Sequence, residues 1–385
     1  MEKVQVKQPE YFSKFKCTMG ECRSNCCKHN WQIRIDKKTY DKYVSLKSEI
    51  GDEFLNNIRV ITEDPFLAII APNEGKGCRF LDDKGLCSIQ LSLGYNYLCR
   101  TCIMHPRSIS YIDGKWETYL EPSCEEVVRI VLFDEKPIKL VDAILEPDGC
   151  GDYIPNKMLD TSKYIKSLDA VRIFYSLRNA AVEIIQNRKY TLRVRMLFLC
   201  LFIQQASDLI EQNKEFEMIV FVDSFLQSFK AGDFDSIADE IPNGVENDFT
   251  LVLDILRDIE AKGGKRFNAS LLQTFTALNV PSEDNILSDE FCDNYKIIYN
   301  DFLSDKEYIF ENYLVNSMLM EGFPFNYLKE NSILENYASL LAKYNLIEFL
   351  IVGVTAFHEE VNEIAIIDVV SAFSRCYDHS LKRYI

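Results

Sequence analysis

Nine cysteines fall between Cys17 and Cys124, whereas Cys150, Cys200, Cys292 and Cys376 are spread over the remaining two-thirds of a 385-residue chain. The array reads Cys17-x4-Cys22-x3-Cys26-Cys27, then Cys78-x8-Cys87-x11-Cys99-x2-Cys102, then Cys124. A thiolate must approach a metal from a fixed direction, so close pairs on turns, brought by folding to distant pairs, are what a four-thiolate site needs. Gly20, Gly75, Gly77 and Gly85 sit beside these cysteines. They permit tight turns whose backbone N–H groups can bond to metal-bound sulfur.

Residue types alone leave the metal open. Thiolates suit both zinc and iron–sulfur clusters, and the spacing is neither a pair of CxxC knuckles nor the common ferredoxin run. Nine thiols could serve one cluster with spectators, or two centres. Adjacent Cys26 and Cys27 point apart on extended backbone, so a turn must bring both to bear if both are ligands. His105 and His29 are nitrogen donors near the array, equally compatible with surface or packing roles. Cys200, inside Leu-Phe-Leu-Cys-Leu-Phe, reads as core, and Cys292 and Cys376 as structural.

The elements that must position these thiols are short and mixed. Residues 31–35 alternate like a half-buried strand, and Asp36 then caps a helix through Tyr40, Tyr43 and Leu46. Residues 58–70 read as extended chain broken at Pro65. Residues 108–120 form two runs joined by Asp113-Gly114, a pair suited to a type I′ hairpin turn. Ser123 and Glu126 have capping-box spacing, which predicts a short helix from Cys124.

Gly, Pro and Asp concentrate at 146–155. The chain is therefore divided into a cysteine-rich module (1–146), a linker (147–155) and a helical domain (156–385). In the last part the apolar period becomes 3.6, predicting amphipathic helices at 165–188, 191–213, 216–229, 249–261, 268–278, 288–320, 332–358 and 363–384. The expected fold class is mainly α: an α+β metal-binding module with a short hairpin, followed by an all-α domain.

A formal charge of −16 opposes non-specific binding to nucleic acid. The longest clean apolar run, 196–203, is far short of the ~20 residues that span a bilayer, and residues 1–10 lack a secretory apolar stretch. Those features predict a cytoplasmic chain that contacts neither nucleic acid nor membrane, with free thiols in a reducing compartment. Several motifs fail to appear: a glycine-rich nucleotide loop, a P-loop, a GxSxG elbow and the Cx3Cx2C radical signature. His358-Glu359-Glu360-Val361-Asn362 has Asn where a zinc-protease helix needs its second His.

Cys17-Thr-Met-Gly-Glu-Cys-Arg-Ser-Asn-Cys-Cys27, the Cys78–Gln90 segment, Cys102-Ile-Met-His-Pro-Arg107 and Pro-Ser-Cys124-Glu resemble the flagellin lysine-N-methylase (FliB) family. The middle blocks also resemble the YkgJ-type zinc- or iron-chelating cysteine cluster. The likeness covers residues 5–130 in order and spacing, and rests on length and general character beyond. It implies S-adenosylmethionine-dependent N-methylation of lysines on flagellin by a protein carrying an iron–sulfur cluster of the 4Fe–4S type, with zinc as the alternative metal. It also implies metal roles for Cys22, Cys26, Cys27, Cys78, Cys87 and Cys102, then Cys17 and Cys124. Cys99 is an addition to the pattern, and His105 stands where an aromatic residue is expected. No catalytic base, S-adenosylmethionine-binding residue or oligomeric state follows from the residues. A rival reading is a non-catalytic scaffold or maturation factor with a structural zinc or iron–sulfur site, and a third is a redox or metal-sensing module. An enzyme predicts a concave pocket with aromatic and acidic walls near the cysteines or at the domain junction.

Overall fold

A computed structural model describes residues 3–28, 33–47, 49–63, 66–70, 77–145, 155–240, 249–260, 264–280, 289–327 and 330–377. His29, Trp31, Pro65, Gly75, Cys150 and most of the 147–155 linker lie outside the described residues. The fold is mainly helical, with its strands gathered toward the amino terminus.

The first half runs β1 (Val4–Pro9), β2 (Ile33–Asp36), α1 (Lys37–Ser45), α2 (Glu49–Asn56), β3 (Ile58–Glu63), β4 (Phe66–Ile70), α3 (Ser88–Leu93) and α4 (Arg100–Met104). It continues through β5 (Arg107–Ile112), β6 (Lys115–Leu120), α5 (Glu125–Leu132) and β7 (Leu140–Leu145) to β8 (Lys157–Leu159). Strands β2, β4 and β3 form a three-stranded sheet, and a five-stranded sheet has the order β7-β1-β6-β5-β8.

Local chemistry accounts for several of these elements. Asp36 caps α1 by accepting from Thr39 N at 2.9 Å. The β5–β6 hairpin pairs Arg107 with Leu120 and Ile112 with Lys115. At its tip Asp113 and Gly114 both take positive φ, 41° and 89°, as a type I′ turn demands. The strands β1 and β7, neither expected from the sequence, pair along their whole length. β8 places an edge strand inside the stretch expected to be all α. The capping box at Ser123 does not form. Ser123 Oγ is buried without a partner and Glu126 turns to Arg129, because Cys124 takes the N-cap position one residue later.

The second half holds α6 (Ala170–Ile185), α7 (Leu192–Glu211), α8 (Met218–Ala231), α9 (Asp235–Glu240), α10 (Phe249–Glu260), α11 (Lys265–Ala277), α12 (Asp289–Ile298), α13 (Tyr308–Glu321), α14 (Ile333–His358) and α15 (Glu363–Tyr377). The single helix expected over 288–320 is broken by a π turn at Tyr299–Leu303 and a 3-10 turn at Ser304–Lys306. Beyond the break, Glu307 accepts from Leu192 N at 2.8 Å and Arg195 Nη2 at 2.9 Å, and from Tyr299 OH at 3.0 Å. Nor is α14 amphipathic: every residue from Leu346 to Thr355 is buried. By length and composition α14 could cross a membrane, yet 72% of its most apolar window is buried within the protein. Glu348, in that stretch, accepts from Arg193 at 2.8 Å and Tyr295 at 3.1 Å. This is how the central helix of a helical core is built.

Two hydrophobic cores result among the described residues. The larger takes Tyr11, Leu120 and Val131 together with residues of the helical half as far as Tyr377, and so draws on both sides of residues 146–154. The smaller gathers Ile33, Ile35, Tyr43, Phe54, Phe80 and Ile103 beneath the cysteine loops, with Cys78, Cys87 and Cys102 packed against it.

Candidate metal and ligand site

Three chain segments are pinned together by the residues around the cysteines. In the first loop, Asn25 is buried: its Oδ1 accepts from Cys27 N at 2.9 Å and its Nδ2 donates to Gly85 O at 3.0 Å. Cys78 N donates to Cys27 O at 2.7 Å. That approach needs Gly77, whose φ is +81° and where a Cβ would stand 2.5 Å from the Cys27 carbonyl oxygen. Asp82 Oδ1 accepts from Lys84 N and Leu86 N, closing the turn that presents Cys87. In the third segment, Arg100 N donates to Asp36 Oδ2 at 3.0 Å and Thr101 Oγ1 to Arg34 O at 2.7 Å, fixing α4 on β2.

Cys87, Cys99 and Cys124 occupy the N-cap positions of α3, α4 and α5. Backbone N–H groups of a first helical turn favour a thiolate. Burial outweighs them at Cys87, whose pKa is raised, and at Cys124, pushed up to about 12. Burial likewise lifts Cys78 to about 11 and raises Cys22, although Thr18 Oγ1 lies 2.9 Å from the Cys22 sulfur. Two cysteines go the other way: a hydrogen bond from Cys27 brings Cys26 down to about 7, while Cys27 is driven up by the same bond and by burial, and Cys99 is lowered by its hydrogen bond with Cys102. The turn Cys26–Lys28 brings both members of the adjacent pair onto the same cavity wall.

Seven of the eight expected ligands line one cavity of about 740 Å³: Cys17, Cys22, Cys26, Cys27, Cys87, Cys102 and Cys124. Cys78 is not on its wall but is close enough for its charge to raise the pKa of Cys27 and of Cys102. Cys99, the extra cysteine, is buried with its sulfur 3.5 Å from that of Cys102. His105 is on the wall, as are Phe15 and Tyr95 and the carboxylates Glu125 and Glu126. Cys200, Cys292 and Cys376 pack against the larger core, away from this cavity.

Among the described residues no three His, Cys, Asp or Glu side chains are gathered tightly enough to hold a single metal ion. The donor chemistry nevertheless fits a thiophilic metal assembly, since many thiols share one wall and backbone N–H groups reach several of them.

The sequence reading missed what ties this cavity to the helical half. Glu125 Oε2 accepts from Arg23 N at 3.0 Å and Oε1 from Arg266 Nη1 at 3.3 Å. Arg23 also pairs with Asp368 at 3.0 Å, and Arg375 Nη1 donates to Ser123 O at 2.6 Å. Arg266, Asp368 and Arg375 come from α11 and α15, at least 141 residues away in sequence from their partners, and no local motif announces them.

Comparison with known proteins gives the same direction. The profile of the FliB lysine N-methylase C-terminal domain matches residues 178–384, the helical half. The lysine-N-methylase of Salmonella typhimurium is 29% identical over 150 residues, 36% of this chain and 35% of that protein, and that of Salmonella choleraesuis aligns to the same extent. The flagellar biosynthetic protein FliU of Salmonella muenchen is also 29% identical over 150 residues, 84% of its length. The match therefore spans about a third of the curated lysine-N-methylases. No solved structure matches the chain. With more than half of its residues matched by the family profile, the chain belongs to the FliB lysine N-methylase family.

Proposed function

We propose that this protein transfers methyl groups from S-adenosylmethionine to lysine side chains of flagellin, with the thiol-lined cavity as its reaction centre. The observation that carries the reading is the convergence of seven cysteines from four separate segments on one cavity of about 740 Å³, which is large enough for a small-molecule cofactor as well as a metal assembly. The names of the Salmonella relatives supply the reaction and the flagellar context.

An iron–sulfur cluster would be held by Cys22, Cys26, Cys27, Cys78, Cys87 and Cys102, or a subset of them, with Cys17 and Cys124 beside it. Bound there, it would supply a Lewis-acidic and redox-active centre beside the cavity. The rest falls to the chain itself. A neutral lysine amine attacks the sulfonium methyl group, the S–CH3 bond breaks, S-adenosylhomocysteine leaves, and the new ammonium gives up its proton. Glu125 and Glu126 bring carboxylates to the wall, but Glu125 is held by Arg23 N and Arg266 and Glu126 by Arg129, so their charge is largely compensated there. Tyr95 offers an aromatic ring to an onium group, whereas Phe15 already carries the Arg107 guanidinium 5.0 Å from its centroid. A cytoplasmic site of action accords with free thiols.

The test is anaerobic incubation of purified protein with S-adenosylmethionine and flagellin, followed by peptide mass spectrometry. Methyl-sized increments on lysine are expected with the wild type and not with Cys27→Ser. Their absence from wild-type reactions, in protein shown to contain iron and sulfide, would reject the reading.

A further inference from the structure

A second cavity, with aromatic and acidic lining, lies at the other end of the hairpin from the thiols. Arg107, at the start of β5, lines the thiol cavity, whereas Tyr111 and Asp113, at the tip, line this one. Six residues of strand separate the two, roughly 20 Å at the usual rise. The second cavity measures about 430 Å³ and is closed on its far side by Asn326, Tyr327 and Glu330 from the stretch after α13.

Three tyrosine rings form its aromatic walls, and each is fixed in place. Tyr164 stacks on Phe325 with centroids 4.3 Å apart and planes 3° from parallel, and its hydroxyl donates to Asn326 O at 2.9 Å. Tyr111 rests edge-on against Trp116 at 4.9 Å. Tyr327 also lines the cavity, with its hydroxyl buried beside Ser110 and the Glu117–Arg178 pair. Gly322 makes room for that ring, since a Cβ there would stand 2.9 Å from it.

The acidic walls are Asp113, Asp160 and Glu330, against one cation, Lys163, among the described lining residues. Asp113 is held by Thr161, which donates from N at 3.0 Å and from Oγ1 at 2.5 Å. Lys163 and Glu330 pair at 2.5 Å, but both side chains are more than half exposed. Such a surface pair contributes little and yields readily to a competing cation.

Rigid aromatic faces with surplus carboxylate select a large, weakly hydrated cation over a metal ion or an anion. We infer that this cavity is a subsite for an N-methylated lysine side chain of the protein substrate, distinct from the reaction centre. The inference rests on the lysine-methylation reading for the identity of the ligand. A substrate with several modified lysines would then be held by a finished residue at the hairpin tip while another reaches the thiol cavity.

The experiment titrates Nα-acetyl-trimethyllysine amide into full-length, anaerobically purified protein by calorimetry, beside its unmethylated counterpart and a neutral isostere with carbon in place of the ammonium nitrogen. Saturable binding of the trimethylated compound is expected, tighter than the unmethylated one, with none for the isostere. Tyr111→Leu should weaken it by about fivefold or more, and Glu330→Gln by about threefold, the scale of a cation–π contact and of a surface charge. Tyr111→Phe keeps the ring and should bind as the wild type does, which separates loss of the aromatic face from misfolding. Equal binding of the isostere, no preference for the methylated compound, or wild-type binding by Tyr111→Leu would each overturn the inference. Neither flagellin nor S-adenosylmethionine is present, so failure of methyl transfer would leave this result standing. Flagellin methylation without ammonium binding would remove the subsite alone.

Discussion

Asn25 bridges two cysteine loops through one side-chain amide, taking the Cys27 N–H and giving to the Gly85 carbonyl. Replacing it with Ala strands both buried groups, at a cost of about 1–3 kcal/mol. Its larger effect is expected on ligand geometry: Asn25→Ala should bind less than half the wild-type metal while keeping its helical circular dichroism, as iron and zinc analysis of purified protein would show. Gly77 acts through the backbone. With φ at +81° and Cys27 O in the path of a Cβ, Gly77→Ala is expected to lower stability by about 1–3 kcal/mol in chemical denaturation. An unchanged denaturation midpoint would mean that the loops do not approach each other as described.

Among the elements, α14 shows how a helix start is specified locally and its surroundings are not. Ser332 Oγ accepts from Glu335 N at 3.2 Å while Glu335 Oε2 accepts from Ser332 N at 2.7 Å. Ser332→Ala should cost about 1 kcal/mol, read from thermal unfolding. Where strand β6 meets α6 the controlling contact is long-range: Arg178 and Glu117, both almost fully buried, form a bidentate pair with two contacts of 2.7 Å. Arg178→Met leaves a buried carboxylate unpaired and should destabilise by about 3–5 kcal/mol, whereas the double change with Glu117→Gln should recover part of that loss. Equal losses from the single and double variants would show that the pair is not coupled.

At the scale of the whole molecule, the buried thiols link stability to pH. Cys78 has its pKa raised by burial from an ordinary 9.0 to about 11. A raised value means that the folded state favours the neutral thiol, so this contribution is complete below pH 9 and is lost as pH rises toward 11. The melting temperature of metal-depleted protein should therefore fall across pH 9–11, and Cys78→Ala should flatten that fall. The hairpin, the Asp36 cap and the helix starts were legible in the sequence because each depends on neighbours a few residues away: Asp113-Gly114 can make one kind of turn wherever it occurs. The cysteine array was legible as chemistry, since thiols clustered at those intervals have few other uses. The place of Cys78 off the cavity wall, the clasp of Glu125 by Arg266 from the other half, the break before Glu307 and the tyrosine walls at the hairpin tip were not legible. Each joins residues far apart in the chain, and such contacts form only when burial of the common core brings their elements together. Sequence by itself determined the local turns and the kind of donor available; the tertiary structure decided which donors meet, because for residues far apart in the chain their separation does not say which of them come together.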